Sequence, residues 1–289
     1  MWQTRAPPPR MAAHTAHTFV VHRDGCDWDA AAELLERDGF VVLSAAPDEP
    51  PLIPVSLCVD ARDAACVYLE ELLCSVERRG VQRSDEFRFA EVVHRDGLRY
   101  DLPIRWFDRD EQDAENSENE VDSAFARTAI THDVDSAFAT LHAITHELAR
   151  DVLAAVVERR DDKRLPGVTA PPIAGCVTSV PSASAQGWHS DGSEEGVYNF
   201  FVPLVSLQPS NGPTELRPGT HHTGVATGRV APRVAPLLAV GEVLVFDYRC
   251  RHRGLGNSGG HERPVAYVTY TIGAARDENF PAAATLAWD

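Results

Sequence analysis

The chain has 289 residues, 44% of them apolar and 24% charged, with a formal net charge of −16. That length allows one substantial core, or one core with a small lobe. The acidic balance excludes a general affinity for nucleic acid or anionic membranes, which needs clustered Lys and Arg, and no run reaches the roughly 18 apolar residues of a membrane-spanning helix. A local basic pocket remains compatible with that overall charge.

The first 20 residues contain Arg5, Arg10 and Pro7 to Pro9 but no acidic residue. They read as a disordered leader, or as the remnant of an organelle transit peptide. The rest, 21–289, is expected to form one domain. Its helical layer covers about 21–165 and its β core about 166–275. Six scattered cysteines without CxxC spacing fit reduced thiols in a cytoplasmic protein better than a disulfide framework or a zinc ribbon.

In chain order, Asp27 to Asp38 carries Trp28, Ala31, Ala32, Leu34 and Leu35 at helical spacing, stops at Gly39 and enters a strand-like Phe40 to Leu43. Asp60 to Arg79 is a second helix with a stripe of Ala65, Leu69, Leu72, Leu73 and Val76, stopped by Gly80. His94, Arg99, Arg105 and Trp106 follow strand-like sequence; they are candidates to line a substrate pocket, or ordinary loop and edge residues. Residues 108–122 carry eight carboxylates against the single Arg109, the composition of a solvated loop. Ser123 to Arg159 reads as helix and contains a short echo, Val121-Asp-Ser-Ala-Phe-Ala against Val134-Asp-Ser-Ala-Phe-Ala. His132 and His146, in equivalent places of the echo, read as partly exposed helix histidines or as metal ligands.

After Pro171-Pro172 the pattern changes to short β-rich runs between Gly, Pro and Asn turns: Ile173 to Val180, Tyr198 to Leu207, Leu237 to Tyr248 and Val265 to Ile272. Such runs predict a sandwich or barrel with the helices packed outside one sheet. The fold class is therefore α+β, mainly β with helices.

Within this half, Trp188-His189-Ser190-Asp191-Gly192 sets a His and an Asp two residues apart. In extended backbone both point to one face and can reach one cation. His252 shares parity with Leu244, Phe246, Tyr248 and Cys250, an inward apolar face, while Arg249, Arg251 and Arg253 alternate outward. A histidine there serves equally as a buried core residue or as the third ligand. Two imidazoles and a carboxylate make a facial triad with open positions, suited to Fe(II); zinc takes the same donors in hydrolases. Arg263 lies beyond a turn containing Gly254, Gly256, Asn257, Gly259 and Gly260. A hairpin there would return the arginine beside the ligating strand, where a guanidinium could hold a dicarboxylate's far end.

These motifs resemble the phytanoyl-CoA dioxygenase family of Fe(II)/2-oxoglutarate oxygenases. The resemblance rests on Gly187-Trp-His189-Ser-Asp191, on Asn211-Gly-Pro-Thr-Glu-Leu-Arg-Pro-Gly-Thr-His221, on Gly241-Glu-Val-Leu-Val-Phe-Asp247, and on His252-Arg-Gly254 followed by Asn257 and Arg263. Leu34 to Leu43 is similar to the family's N-terminal signature. The clear likeness spans about Trp188 to Ile272. It implies a double-stranded β-helix, a cupin-like jelly roll, with His189, Asp191 and His252 as catalytic iron ligands and Arg263 anchoring 2-oxoglutarate. Thr214 is similar to a threonine that contacts the co-substrate in some relatives. The Pro218-Gly-Thr-His221 turn replaces the family's serine by threonine, and His221 is expected to be structural. A polar residue just before the HxD pair is expected on the co-substrate; Gly187 and Trp188 stand there instead, with Gln186 nearby.

The implied activity is oxidation, normally hydroxylation, of a C–H bond in a small molecule, with Fe(II), 2-oxoglutarate and O2 and release of succinate and CO2. Because Asp191 is present, halogenation, which in relatives accompanies loss of that carboxylate, is not expected. The alternatives are a cupin-like zinc or manganese enzyme that does not use 2-oxoglutarate, and a non-catalytic binding protein of the same fold.

Overall fold

A computed structural model describes residues 16–22, 25–104, 129–160, 168–222, 232–272 and 286. The acidic segment 108–122, Arg105, Trp106 and the His132 side chain lie outside the described residues.

The elements run β1 (Thr18–Val21), α1 (Trp28–Asp38), β2 (Phe40–Ala45), α2 (Val55–Arg78), β3 (Val93–Arg95), β4 (Arg99–Ile104), α3 (Ala129–Arg159), β5 (Val168–Ser179), β6 (Val197–Pro203), β7 (Thr214–Leu216), β8 (Val243–Asp247), β9 (His252–Gly254) and β10 (Arg263–Ile272). The leader boundary drawn at residue 20 therefore falls inside β1. Helix α1 matches its predicted span. The Asp27 side chain accepts from the Asp29 N–H at its start, and Gly39 ends it in the left-handed conformation (φ 80°), donating to the Leu35 carbonyl. Helix α2 begins at Val55, earlier than expected, directly after Pro54. Its predicted stripe of Ala65, Leu69, Leu72, Leu73 and Val76 is buried throughout.

Eight strands form one mixed sheet in the order β1-β2-β8-β6-β10-β5-β4-β3, and β7 pairs with β9 in a second, two-stranded sheet. Among these pairings β1–β2 is parallel. The N-terminal half, expected to be mainly a helical layer, thus supplies four strands of the main sheet, among them β2 over the strand-like Phe40 to Leu43. Strands β1 and β3 were hard to see because they are short, four and three residues, and period-2 patterning needs more length to register.

Strands in the middle of the large sheet are buried on both faces. Val243 and Val245 join Val41, Leu43, Phe200, Val202, Ala266, Val268 and Tyr270 in a core shared with the three helices. Leu244, Phe246 and Cys250 join Phe40, Val42, Leu207, Leu216 and Leu238 in a smaller core toward the second sheet. Inward parity over Leu244 to His252 is observed, yet Val243, Val245 and Asp247 are equally buried because helices cover the reverse face. The second copy of the echo, in α3, is part of that cover, with Val134, Phe138 and the following Leu141 buried against it; the first copy, 121–126, lies outside the described residues. Arg159 at the end of α3 ties the helices together through Asp29 (2.7 Å) and Glu36 (2.9 Å) of α1.

The arginine-bearing hairpin does not form. Strand β9 belongs to the small sheet and β10 to the large one, so the chain crosses between sheets after His252. Buried Asn257 directs this crossing: its side-chain amide donates to the carbonyls of Ser179 and His261, both at 2.9 Å, and its backbone bonds Ser182 and Ala183. The loop is pinned to the end of β5, and Arg263 reaches the site from the opposing sheet. Among the described residues no helix is long and apolar enough to cross a membrane.

Candidate metal centre

The pocket face of the large sheet carries Arg99 and Asp101 of β4, Val177 and Ser179 of β5, Asn199 and Phe201 of β6, and Arg263, Tyr267 and Thr269 of β10. Each set alternates along its strand, and the registers align them across the sheet. Opposite stand β7, β9 and the segment 186–191. Between them is a cavity of about 520 Å³, within the usual range for a small-molecule site.

The segment holding His189 is laced to the chain leading into β9. His189 and His252 face each other in an antiparallel bridge, exchanging backbone bonds of 3.1 and 2.8 Å, and the Asp191 N–H donates to the Tyr248 carbonyl at 3.0 Å. The HxD pair is thus one bridge and its flank, short of a full strand, but the same-face reading holds. His189, Asp191 and His252 place one ligand atom each within 4.8 Å of one another. Asp191 Oδ1 lies 3.9 Å from His189 Nε2 and 3.5 Å from His252 Nε2. Among the described residues no other His, Cys, Asp and Glu group converges in this way.

Both imidazoles are held in one tautomer by the backbone. His189 Nδ1 lies 2.9 Å from the Gly187 carbonyl, and His252 Nδ1 lies 2.9 Å from the Cys250 carbonyl. A carbonyl only accepts, so each Nδ1 carries the proton and each Nε2 keeps its lone pair for a metal. Burial, and then the neighbouring His252, lower the pKa of His189, which favours the neutral ligand form.

The carboxylate is oriented by side chains. Asn199 Nδ2 donates to Asp191 Oδ2 at 2.6 Å, and the Thr269 hydroxyl donates to Asn199 Oδ1 at 2.6 Å, which fixes the amide the right way round. Asn199 and Thr269 are register partners on β6 and β10. Sequence reading passed over both; the available signal was a polar residue at inward parity in an otherwise apolar run. Asn199→Ala is expected to weaken divalent-metal binding about 10- to 100-fold, measured by metal titration of the folded variant. An unchanged affinity would rule out this orienting role.

Arg263 is 3% exposed and lines the cavity. Its guanidinium makes no hydrogen bond or ion pair with the described residues, and its Nε is buried without a partner. Burial, then the charge of Arg99, pushes its pKa down to about 9, so it remains a cation at neutral pH. A lone buried cation is costly until an anion reaches it. Thr214 stands opposite Gly254 in the small sheet and also faces the cavity. Gln186 reaches it too: its Oε1 accepts the Gly254 N–H at 2.9 Å, leaving the amide NH2 as a donor.

Other candidates fall elsewhere. His94 packs in a cluster of three rings with Phe87 and Tyr100, on the face of β3 and β4 away from the cavity. The His146 ring packs on Tyr270. His221 donates to the Glu36 carbonyl at the end of α1, a structural contact. In the same turn the Thr220 hydroxyl donates to the Arg217 carbonyl and accepts from the Arg251 N–H. A hydroxyl does that work, so threonine replaces serine there without loss.

Two imidazoles, one carboxylate and an unpaired arginine in one cavity fit a divalent metal together with a chelating acid. The family model for phytanoyl-CoA dioxygenase matches residues 76–265. Among solved structures, the chain is similar to AviO1 from Streptomyces viridochromogenes Tue57, at 21% identity and a TM-score of 0.53, over 89% of this chain and 98% of that one. It is also similar to EvdMO1, at 20% identity and a TM-score of 0.50, over 86% of this chain and 50% of that one. At these identities the likeness bears on the fold. A search of curated proteins gives no match.

Proposed function

The chain belongs to the phytanoyl-CoA dioxygenase family, and on that premise we propose that it hydroxylates a C–H bond of a small organic molecule, consuming 2-oxoglutarate and O2. In this reading His189, Asp191 and His252 hold Fe(II) within a double-stranded β-helix formed by the face of the large sheet and the β7–β9 sheet. Arg263, with Thr214 beside the cavity, binds the co-substrate. Iron bound there supplies the redox chemistry that couples oxidative decarboxylation of 2-oxoglutarate to substrate oxidation. One oxygen atom of O2 ends in succinate and the other in the product, with CO2 released.

The protein's own part is positional. The backbone-held imidazoles and the Asn199-oriented carboxylate gather three donors on one side, leaving the opposite side for co-substrate and O2. Arg263 offers two parallel N–H donors to a distal carboxylate. The cavity is buried on its large-sheet side, and its walls set which carbon of the substrate faces the metal.

The observation that carries this reading is the unpaired Arg263 guanidinium in the same cavity as the triad. A hydrolytic zinc or manganese site would need it only for an anionic substrate, whereas 2-oxoglutarate requires a partner for its far carboxylate. Anaerobic addition of Fe(II) and 2-oxoglutarate to the folded chain is expected to produce a visible metal-to-ligand charge-transfer band. A colourless mixture would count against the reading, and a substrate screen by coupled succinate release follows a positive result.

A further inference from the structure

We propose that Arg217 and Arg251 form an oxyanion site on the outer face of the small sheet, where they hold a phosphate monoester group of the substrate while its carbon skeleton reaches the metal. The proposal rests on the reading above and narrows its substrate to an anionic class. Neither arginine lines the cavity itself.

Register places the two arginines together. In the small sheet Thr214, Leu216, His252 and Gly254 are buried, so Glu215 and Arg253, which pair opposite each other, project from the outer face. One step on, the Arg217 N–H donates to the Arg251 carbonyl at 2.9 Å. That bond continues the register and sets Arg217 opposite Arg251 on the same outer face. The His189–His252 bridge brings Trp188 alongside Arg253. The guanidiniums of Arg217 and Arg253 lie over the Trp188 ring, 4.2 and 4.7 Å from its centre. Trp188 also lines the cavity, so the basic face and the cavity share a wall.

Arg253 is matched by Glu215 at 2.7 Å; the other two are not matched. Arg217 makes no hydrogen bond or ion pair through its side chain with the described residues, and its Nε is buried without a partner. The Arg251 guanidinium donates to the Trp188 carbonyl at 3.4 Å, and no carboxylate pairs with it among the described residues. Stacking on the indole holds Arg217 in place without cancelling its charge. Like charges directly opposite in a sheet repel, and both arginines are partly buried. The pair is therefore costly until an anion joins it.

The sequence supplies no such anion nearby. No acidic residue lies between Glu215 and Glu242, in a chain that has 43, so this face is basic against the trend of the whole molecule. A phosphate monoester carries about −1.5 to −2 at neutral pH, which balances two unpaired guanidiniums; a carboxylate would balance one. Each guanidinium can also meet a phosphate with two parallel N–H donors.

The test is calorimetric titration of the full chain, loaded with Mn(II) and 2-oxoglutarate, at low ionic strength. The probes are phenyl phosphate, inorganic phosphate and phenol. Phenyl phosphate is expected to bind at least about fivefold tighter than inorganic phosphate, because its ring buries apolar surface against the shared wall; phenol should not bind measurably. Arg217→Gln and Arg251→Gln are each expected to weaken phenyl phosphate about 10- to 100-fold, the loss of one charge-assisted contact, with 2-oxoglutarate affinity changed by less than about twofold. Glu215→Gln frees Arg253 and is expected to tighten phenyl phosphate about 3- to 10-fold, which a merely structural stack on Trp188 would not do. Equal binding of the two phosphates would make this a site for free phosphate and overturn the assignment to substrate. Unchanged affinity in both arginine variants, or binding of phenol as tight as that of phenyl phosphate, overturns the proposal. If neither arginine variant folds, Glu215→Gln decides alone, and no tightening there overturns it equally. Failure of the unaltered chain to take up 2-oxoglutarate removes the underlying reading together with the proposal. Uptake of 2-oxoglutarate without phosphate binding removes the proposal alone.

Discussion

Asp191→Ala is expected to bring 2-oxoglutarate-coupled succinate release below detection, and His189→Ala to do the same. The carboxylate is the triad's only negative charge, and its Oδ1 lies 3.5 and 3.9 Å from the two imidazole nitrogens. Without it, two neutral imidazoles face a divalent cation with nothing to balance its charge. The expected effect exceeds that of Asn199→Ala, because losing a donor removes a bond to the metal and losing its orienting partner only loosens one. Succinate measured over a defined time course, with circular dichroism to verify folding, checks the result. Undiminished turnover in either variant would sink the assignment of the metal centre.

Arg263→Met is expected to raise the 2-oxoglutarate concentration for half-saturation by about 30-fold to 1000-fold, the range for truncating one partner of a buried charge pair. Metal affinity should stay near that of the unaltered chain, since Arg263 touches none of the three donors. Methionine preserves much of the volume, so the change reads the charge and its hydrogen bonds more than packing. Arg263→Lys should recover only part of the loss, because an ammonium lacks the planar fork that meets a carboxylate with two bonds. The decisive comparison is metal binding against 2-oxoglutarate binding in one preparation. An unchanged 2-oxoglutarate response would withdraw the support for this co-substrate and leave the zinc or manganese reading in front.

What the sequence disclosed follows the range of the interactions concerned. His189 and Asp191 were readable because i, i+2 spacing is local, and the α1 boundaries because Asp27 and Gly39 are local caps. Arg263 was picked out correctly as a pocket residue, but by a route the structure replaces. Eleven residues after His252 suggested a hairpin, whereas Asn257 fastens the loop to β5 and sends β10 into the other sheet. Strand β4 was legible only as strand-like sequence, because its arginine and aspartate face a polar cavity and its inward side lacks the apolar signal that marks strands. Arg99 could be read there as a pocket-lining residue or as an edge residue; it is almost fully enclosed and lines the cavity. Asn199 and Thr269 escaped because their roles exist only through β6–β10 registration, a contact 70 residues apart in the chain.

The way the two imidazoles are held bears on how this site can change over generations of mutation. Their tautomers depend on the carbonyls of Gly187 and Cys250, and every amino acid has a carbonyl. Substitutions around them can accumulate without disturbing either nitrogen donor, provided the backbone bridge survives. The carboxylate arm has no such insurance, since it hangs on two specific side chains from distant strands. Drift in this protein would therefore loosen Asp191 first, giving a weakened three-donor site reached by one or two changes in β6 or β10.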